Sequence, residues 1–290
     1  MTPFLFLLPA LAAPVDVSLT PALQDVPPDC FVEVELVLSA ASATTVTSLD
    51  ALISWDPGLL DLINVTPSPD GWLAAGFLND PDGINSDVSD GDALFRALSG
   101  ITTPLVVSTP HTVATFEFQV LDDGDVSLLA SLGSFGVTAV YGELPGQNVT
   151  GVLSGPASAT ATPVATLVAS RVGSPPNPEA FMVGGTTPFL GSLWDPFVDH
   201  TTFEPAAIGD FIVFSPVQIN LDLVLHGTLL VGLPVIDFIP VNFSPGTPFA
   251  IPIPDECILV GVTLSAQAGS SSDGVDFQLA NALDITFGTF

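Results

Sequence analysis

The chain has 290 residues, enough for one large domain or two of ordinary size, and 48% of them are hydrophobic, which excludes a globally disordered polymer. It carries 31 acidic residues against two basic ones, Arg96 and Arg171, for a formal net charge of −29, although only 11% of its residues are charged. Scarcity of bases sets that figure, and such a surface repels nucleic acid and anionic lipid while attracting divalent cations or basic partners. A saline or calcium-rich habitat is the simplest explanation of it.

The N-terminus, MTPFLFLLPALAA, has an apolar run from Phe4 to Leu11 and small residues at Ala10 and Ala12. It reads as a secretory signal peptide over residues 1–12, cleaved after Ala12, although the α-amino group is its only positive charge. The run is shorter than the ~20 apolar residues a bilayer span takes. Later apolar runs are broken by Pro, Gly or Asp, so no membrane span is expected.

From residue 13 the pattern is one of short strands. Val15, Val17 and Leu19 begin the first, and Val32, Val34, Leu36 and Leu38 alternate with Glu33, Glu35 and Val37 in the next. Leu49, Ala51, Ile53 and Trp55 then alternate with Asp50, Leu52, Ser54 and Asp56, the period of a strand with one apolar face. Asp56-Pro57-Gly58 stops that strand, because Pro presets φ and Gly accepts φ > 0, and Leu59 and Leu60 return to the core. Ala114, Phe116, Phe118 and Val120 face one way while Thr115, Glu117 and Gln119 face the other. A turn at 122–125 leads into a strand over 126–131, and strands over 135–141 and 147–153 flank Gly142–Gly146. Strands at this spacing, without an amphipathic helix pattern, predict a β-sandwich over 13–154.

Residues 155–166 are small, uncharged and rich in Ala, Ser, Thr and Pro, and read as a linker of moderate stiffness. Residues 167–290 are again all-β in pattern and rich in Pro and Phe. Cys30 and Cys257 fall one in each half; pairing, free thiols and intermolecular bonding are all open.

The segment 79–92 packs five Asp and two Asn into fourteen residues. Calcium takes six to eight oxygen ligands on a flexible backbone, so Asp80, Asp82, Asn85, Asp87 and Asp90 are candidate calcium ligands. No Glu closes the loop as in an EF-hand, and a solvated acidic loop is the competing reading. Asp122, Asp123 and Asp125 are most simply a hairpin turn. Arg96 follows the acidic loop and is expected to pair with one of its carboxylates. Trp72, in a Pro-Asp-Gly-Trp loop, is the candidate for stacking on a sugar ring, whereas Trp55 lies on an apolar strand face and reads as core. Trp194 repeats the Trp-Asp-Pro triplet of Trp55 without repeating its surroundings. For catalysis the inventory is poor: His111, His200 and His226 lack metal-ligand spacing, and no nucleophile elbow, P-loop or dinucleotide fingerprint is present. Some pair of carboxylates is always available among 31 acids, which permits glycoside hydrolysis without pointing to it. No enzyme is expected.

The strand ending in Trp55-Asp56-Pro57 with Leu60 following resembles the Y-D-P-x-x-L segment of cohesin domains. VATFEFQVLDDGDVSL is similar to that family's L-A-x-I-x-F-x-V strand, and GELPGQNVTGVLSG to its closing segment. Their order over 15–154 carries the resemblance. It implies an all-β fold, a nine-stranded jelly-roll β-sandwich. It also implies a dockerin as partner, a small calcium-loaded helical module on secreted, often polysaccharide-degrading proteins. No contact residues are carried over, because the family's contacts spread over a flat sheet face. The C-terminal segment is similar to a module common on secreted planctomycete proteins through Pro252, Ile253, Pro254, Leu259, Gly261, Gln267, Ala268, Asn281, Ala282, Leu283 and Gly288. That likeness implies an extracellular or surface location, with sorting, anchoring or a passive sandwich equally open. The expectation is a secreted, non-catalytic protein of two all-β domains that engages a dockerin-type or other extracellular protein. Polysaccharide binding by the same sandwich and a calcium-dependent structural role at the cell surface are the alternatives.

Overall fold

The structure, a computed structural model, describes residues 12–78, 83–100, 103–235 and 237–290. The chain divides into two compact units, residues 1–162 and 163–290. The expected signal peptide falls almost wholly outside the described residues. Among these, no helix is long and apolar enough to cross a membrane.

The first unit is a jelly-roll sandwich of two sheets. One sheet runs in the order Thr150–Ser154, Val15–Thr20, Phe31–Ala40, His111–Val120, Leu60–Pro67. Its first pair is parallel and the others antiparallel. The second sheet runs Leu23–Val26, Ala157–Ala161, Gly124–Leu129, Ser48–Ser54, Asp92–Leu98, Ala74–Gly76, with Ala139–Tyr141 also pairing with Ser48–Ser54. Alternation dictates the core between them. Val15, Val17, Val32, Val34, Leu36, Phe116 and Phe118 from the first sheet bury against Leu49, Ala51, Ile53 and Phe95 from the second. Trp55 meets Phe118 edge-on at 5.4 Å between ring centroids, and Phe95 meets Phe116 at 5.6 Å. Edge-to-face contacts of this kind add ~0.5–1.5 kcal/mol each beyond burial.

Three segments differ from the sequence expectation. The stretch expected to be a linker, 155–166, includes the strand Ala157–Ala161, antiparallel to Gly124–Leu129 and parallel to Leu23–Val26. Ala157 and Ala159 face the core at 2% and 5% exposure. The period of two is present, but alanine is too small to mark an apolar face in sequence. The strand expected from 126 starts at Gly124. In the stretch 135–141, Gly133–Phe135 is a 3-10 turn and the strand is confined to Ala139–Tyr141.

The second unit is built on an antiparallel sheet ordered Leu167–Arg171, Gln278–Thr286, Thr263–Ser271, Gly209–Ser215, Asp237–Asn242. Phe181, Trp194, Ile212, Phe214, Leu283 and Ile285 form its core. Three buried amides tie the core edge together. Gln267 Nε2 donates to the carbonyls of Thr228 and Ala280, and its Oε1 accepts from Leu230 N. Asn177 donates to the same two carbonyls and accepts from Thr228 N. Asn281 accepts from Phe181 N and donates to Phe181 O and Ser170 Oγ. Each amide is satisfied on both sides, the condition for burying one without penalty. At Gly288 a Cβ would overlap the carbonyl oxygen of Val164. Gln267, Asn281 and Gly288 of the C-terminal motif thus specify packing.

Candidate functional site, two sheet faces of the N-terminal sandwich

The outer face of the five-stranded sheet is built from the polar half of each alternation. Phe31, Glu33 and Glu35 point outward from one strand, Thr115, Glu117 and Gln119 from its neighbour, and Asp61, Asn64 and Thr66 from the next. The register sets Glu117 opposite Glu33 on one side and Asn64 on the other. Gln119 lies between Phe31 and Asp61. Directly opposed like charges cost a sheet a few tenths of a kcal/mol (~0.2–1). No base offsets them on this face. Arg96 Nε donates to Asp50 Oδ1 at 3.2 Å on the other sheet, and Arg171 belongs to the second unit. Amid these carboxylates Phe31 is 49% exposed and Ile63, the extra residue where the ladder slips between Leu62 and Asn64, is 48% exposed.

The outer face of the seven-stranded sheet is covered in part. Leu52 and Leu94 point outward yet are buried, under Ile84 together with Leu129 and Leu132. The loop carrying Ile84 is pinned by Asn85. Its Nδ2 donates to Leu78 O at 2.8 Å and Leu94 O at 2.9 Å, and its Oδ1 accepts from Leu94 N at 2.9 Å. Asn85 thus continues the ladder at Leu94 as a short extra strand would. At the other end of the loop Gly91 has φ 98° and its carbonyl accepts from Trp55 N. A Cβ there would lie 2.5 Å from Trp55 O, so the loop closes onto the Trp-Asp-Pro turn only with glycine.

Of the candidate calcium ligands, Asp80 and Asp82 lie outside the described residues. Asn85 spends its amide on backbone groups. Asp87 Oδ1 accepts from Ser89 Oγ at 2.6 Å and Ser89 N at 3.0 Å, bonds that hold its carboxyl below the ordinary carboxylate range. Asp90 Oδ1 accepts from Asp92 N at 3.4 Å. Burial, then the charge of Asp90, pushes the Asp92 carboxyl up. Among the described residues, no three His, Cys, Asp or Glu side chains converge to hold a metal ion.

Trp55 and Trp194 are core residues, the latter donating Nε1–H to Val183 O at 2.7 Å. Trp72 is half-buried beside a hollow of about 290 Å³ lined by Gly71, Leu73, Gly100 and Thr103. The histidines stay apart: His200 pairs with Asp210, while His226 Nδ1 donates to Phe277 O and the ring stacks on Phe277. The acidic face went unremarked in the sequence because each Glu reads there as an ordinary outward residue. The signal available was the pair of alternating runs, VEVELVL and FEFQV, which the fold sets side by side.

Replacing Asn85 with Ala is expected to destabilise the first unit by about 2 kcal/mol, since Leu94 N–H and two carbonyls lose their partner together. Chemical denaturation checks the loss, and faster amide exchange at Leu94 locates it. A change below about 0.5 kcal/mol, the level of an ordinary surface substitution, would deny the pinning role.

No family model matches the chain, and no curated protein matches it. Among solved structures it is similar to the sixth cohesin of Acetivibrio cellulolyticus scaffoldin B, solved in complex with a Cel5 dockerin mutant. Identity is 14%, the match covers 51% of this chain and 99% of that one, and the TM-score is 0.40. It is also similar to the OlpA cohesin of Clostridium thermocellum in complex with a dockerin, at 12% identity, 51% and 99% coverage and a TM-score of 0.40. A third likeness is to a non-cellulosomal cohesin of the hyperthermophilic archaeon Archaeoglobus fulgidus, at 13% identity, 51% and 93% coverage and a TM-score of 0.36.

Proposed function

We propose that the chain is a secreted, non-catalytic binding protein whose N-terminal sandwich engages a dockerin-type or other extracellular protein. The docking surface in this reading is the outer face of the five-stranded sheet. One observation carries it: the face is uncovered and sets Glu33 against Glu117, with exposed Phe31 and Ile63 among carboxylates that no base offsets. A folded protein that keeps opposed like charges and exposed apolar side chains on one flat surface loses stability there, and a partner of opposite charge recovers it. The cohesin-like motifs in the sequence support the choice of partner class. Calcium enters as a counter-ion, with Asp80, Asp82, Asp87 and Asp90 as its candidate ligands and Asn85 holding the loop. The inventory of side chains suits binding better than catalysis.

The test is capture of partners from the source organism's secreted proteins by the intact chain, with calcium and then with chelator. Glu33→Lys combined with Glu117→Lys is expected to weaken capture about ten-fold or more by reversing the charge of the face. Ser127→Lys, on the outer face of the other sheet, is expected to leave capture unchanged. Loss with Ser127→Lys alone would move the site to the other sheet, and absence of any captured protein would remove the binding reading.

A further inference from the structure

Val275 and Val224 are the most exposed large apolar side chains among the described residues, at 85% and 83%, and Leu225 follows Val224 at 75%. All three lie in the turns of two neighbouring hairpins of the second unit. Val224 and Leu225 belong to the turn of the ribbon Gln218–Asp222 and Thr228–Val231, and Val275 to the turn joining Thr263–Ser271 to Gln278–Thr286. The hairpins are fastened to each other. Gln278 Nε2 donates to Leu225 O at 2.8 Å, and Leu279 N donates to His226 O at 2.8 Å. The His226 ring stacks on Phe277 at 4.4 Å, and Phe211 meets Phe277 edge-on at 5.9 Å. The two turns therefore form one fixed platform.

Val224 is held in a conformation that its side chain resists. Leu225 N donates to Leu223 O at 2.6 Å and Leu223 N to Gly227 O at 3.0 Å, which closes a tight turn around Val224 at φ 60°. A β-branched residue rarely adopts that region. Where the same two turns need positive φ elsewhere they use glycine, at Gly227 (φ 93°) and Gly274 (φ 76°). Val224 strains its backbone and leaves its side chain in water, so it returns nothing to the fold. A residue with that balance has its use in a contact that the folded chain does not make by itself.

Carboxylates frame the three side chains. Asp222 Oδ1 accepts from Val224 N at 2.7 Å. Asp273 Oδ1 accepts from Val275 N and Asp276 N, both at 2.8 Å, bonds that hold its carboxyl below the ordinary range. Asp276 adds a third exposed carboxylate beside Val275. Arg171, the one arginine of this unit, is committed to Asp284 and to the carbonyls of Ile219 and Leu230, so no arginine offsets this rim.

We propose that this end of the second unit is a docking tip. Val224, Leu225 and Val275 enter an apolar socket on another protein, and Lys or Arg around that socket meets Asp222, Asp273 and Asp276. Charge selects this occupant. A second copy would bring its own net charge of −29 to the contact, and an anionic membrane would repel the same carboxylates. The tip belongs to a different unit from the acidic sheet face and rests on the proposed function only for its secreted setting.

The test compares variants of the intact chain in capturing the source organism's secreted proteins. Val224→Asn combined with Leu225→Ser removes the apolar contact while keeping a residue that tolerates positive φ. Its melting midpoint is expected within about 2 °C of wild type, as for an exposed substitution. At least one captured protein should be lost about ten-fold or more in this variant. The same protein should weaken several-fold in Asp222→Asn combined with Asp273→Asn, whose amides keep the turn bonds, and in 0.5 M salt (a Debye length of about 4 Å). It should persist in Ile258→Ser, an apolar residue of equal exposure outside these turns, and in Glu33→Lys combined with Glu117→Lys. Capture that survives in the tip variant, that falls equally in Ile258→Ser, or that is absent altogether overturns the proposal. So does tip-dependent binding to phosphatidylcholine vesicles or tip-dependent dimerisation in sedimentation, since either assigns the tip a different occupant. Proteins lost only in the Glu33 and Glu117 variant would uphold the sheet face while the tip fails, which keeps the two readings separable.

Discussion

Replacing His200 with Leu is expected to destabilise the second unit by about 3–5 kcal/mol, the cost of leaving a buried charge without its counterpart. Asp210 has no solvent exposure, and its carboxylate is held from three directions. His200 Nε2 lies 2.9 and 3.2 Å from its two oxygens, Ser270 Oγ donates at 2.7 Å, and Gly246 N donates at 2.8 Å. The other ring nitrogen, Nδ1, donates to Phe203 O at 2.8 Å and Glu204 O at 3.0 Å. Carbonyls only accept, so the ring has acceptors on both sides and a proton must lie on the Asp210 side as well. One imidazole therefore joins the turn at 203–204, where Glu204 has φ 43°, to the strand Gly209–Ser215 and the turn at Gly246. Asp210→Asn should cost less, about 1–3 kcal/mol, because it keeps one acceptor and turns only the other oxygen into a donor. Denaturation followed through Trp194, which lies in the core of this unit, separates the two variants. A loss under about 1 kcal/mol for His200→Leu would show that water replaces the ring and that the site is not sealed.

The alternating runs were legible because their apolar residues are large. Val32–Leu38, Leu49–Trp55 and Ala114–Val120 each bury the face that their sequence marks. Ala157–Ala161 follows the same period with side chains too small to show it, and only the pairing with Gly124–Leu129 reveals it as a strand. Leu52 taught the opposite lesson. It falls on the polar side of its strand, yet the loop bearing Ile84 folds down and buries it, a tertiary event with no local signature.

Site residues were visible as residue types and not as arrangements. Glu33 and Glu117 are 84 positions apart, and their opposition depends on a pairing whose register shifts between Thr112 and Ala114. Asn85 looked like an oxygen ligand because Asp surrounds it, but its amide completes a backbone ladder. His200 and Asp210 stand ten residues apart without a motif, so their pairing could not be read in advance. The C-terminal likeness was legible for a reason the fold supplies: Gln267 and Asn281 are buried amides with every atom used, a requirement that few other side chains meet.

Replacing Arg171 with Met is expected to cost the second unit about 3 kcal/mol and to invert its acid response. Arg171 Nε and one terminal nitrogen donate to the two oxygens of Asp284 at 2.8 and 2.9 Å, a bidentate pair. The guanidinium also donates to Ile219 O at 3.1 Å and Leu230 O at 3.0 Å, which ties the ribbon Gln218–Asp222 and Thr228–Val231 to the main sheet. Ser265 Oγ adds a third bond to Asp284, at 2.6 Å. Burial pushes the Asp284 carboxyl up, but the Arg171 hydrogen bonds, the Ser265 hydrogen bond and the Arg171 charge outweigh it, and the group ends below its usual range. A carboxyl depressed by folding contributes stability above its unfolded value, ~3.9, and loses that contribution as pH falls through the folded value. In Arg171→Met only burial and Ser265 remain, so protonation of Asp284 relieves the folded state instead of costing it. The difference in unfolding free energy between wild type and variant should therefore be largest near pH 7 and shrink steadily below about pH 4. Arg171→Lys is not expected to restore the difference, because an ammonium cannot bond both oxygens and both carbonyls from one plane. A difference that stays constant between pH 7 and pH 3 would mean that Arg171 acts through its packing against the ribbon and not through Asp284.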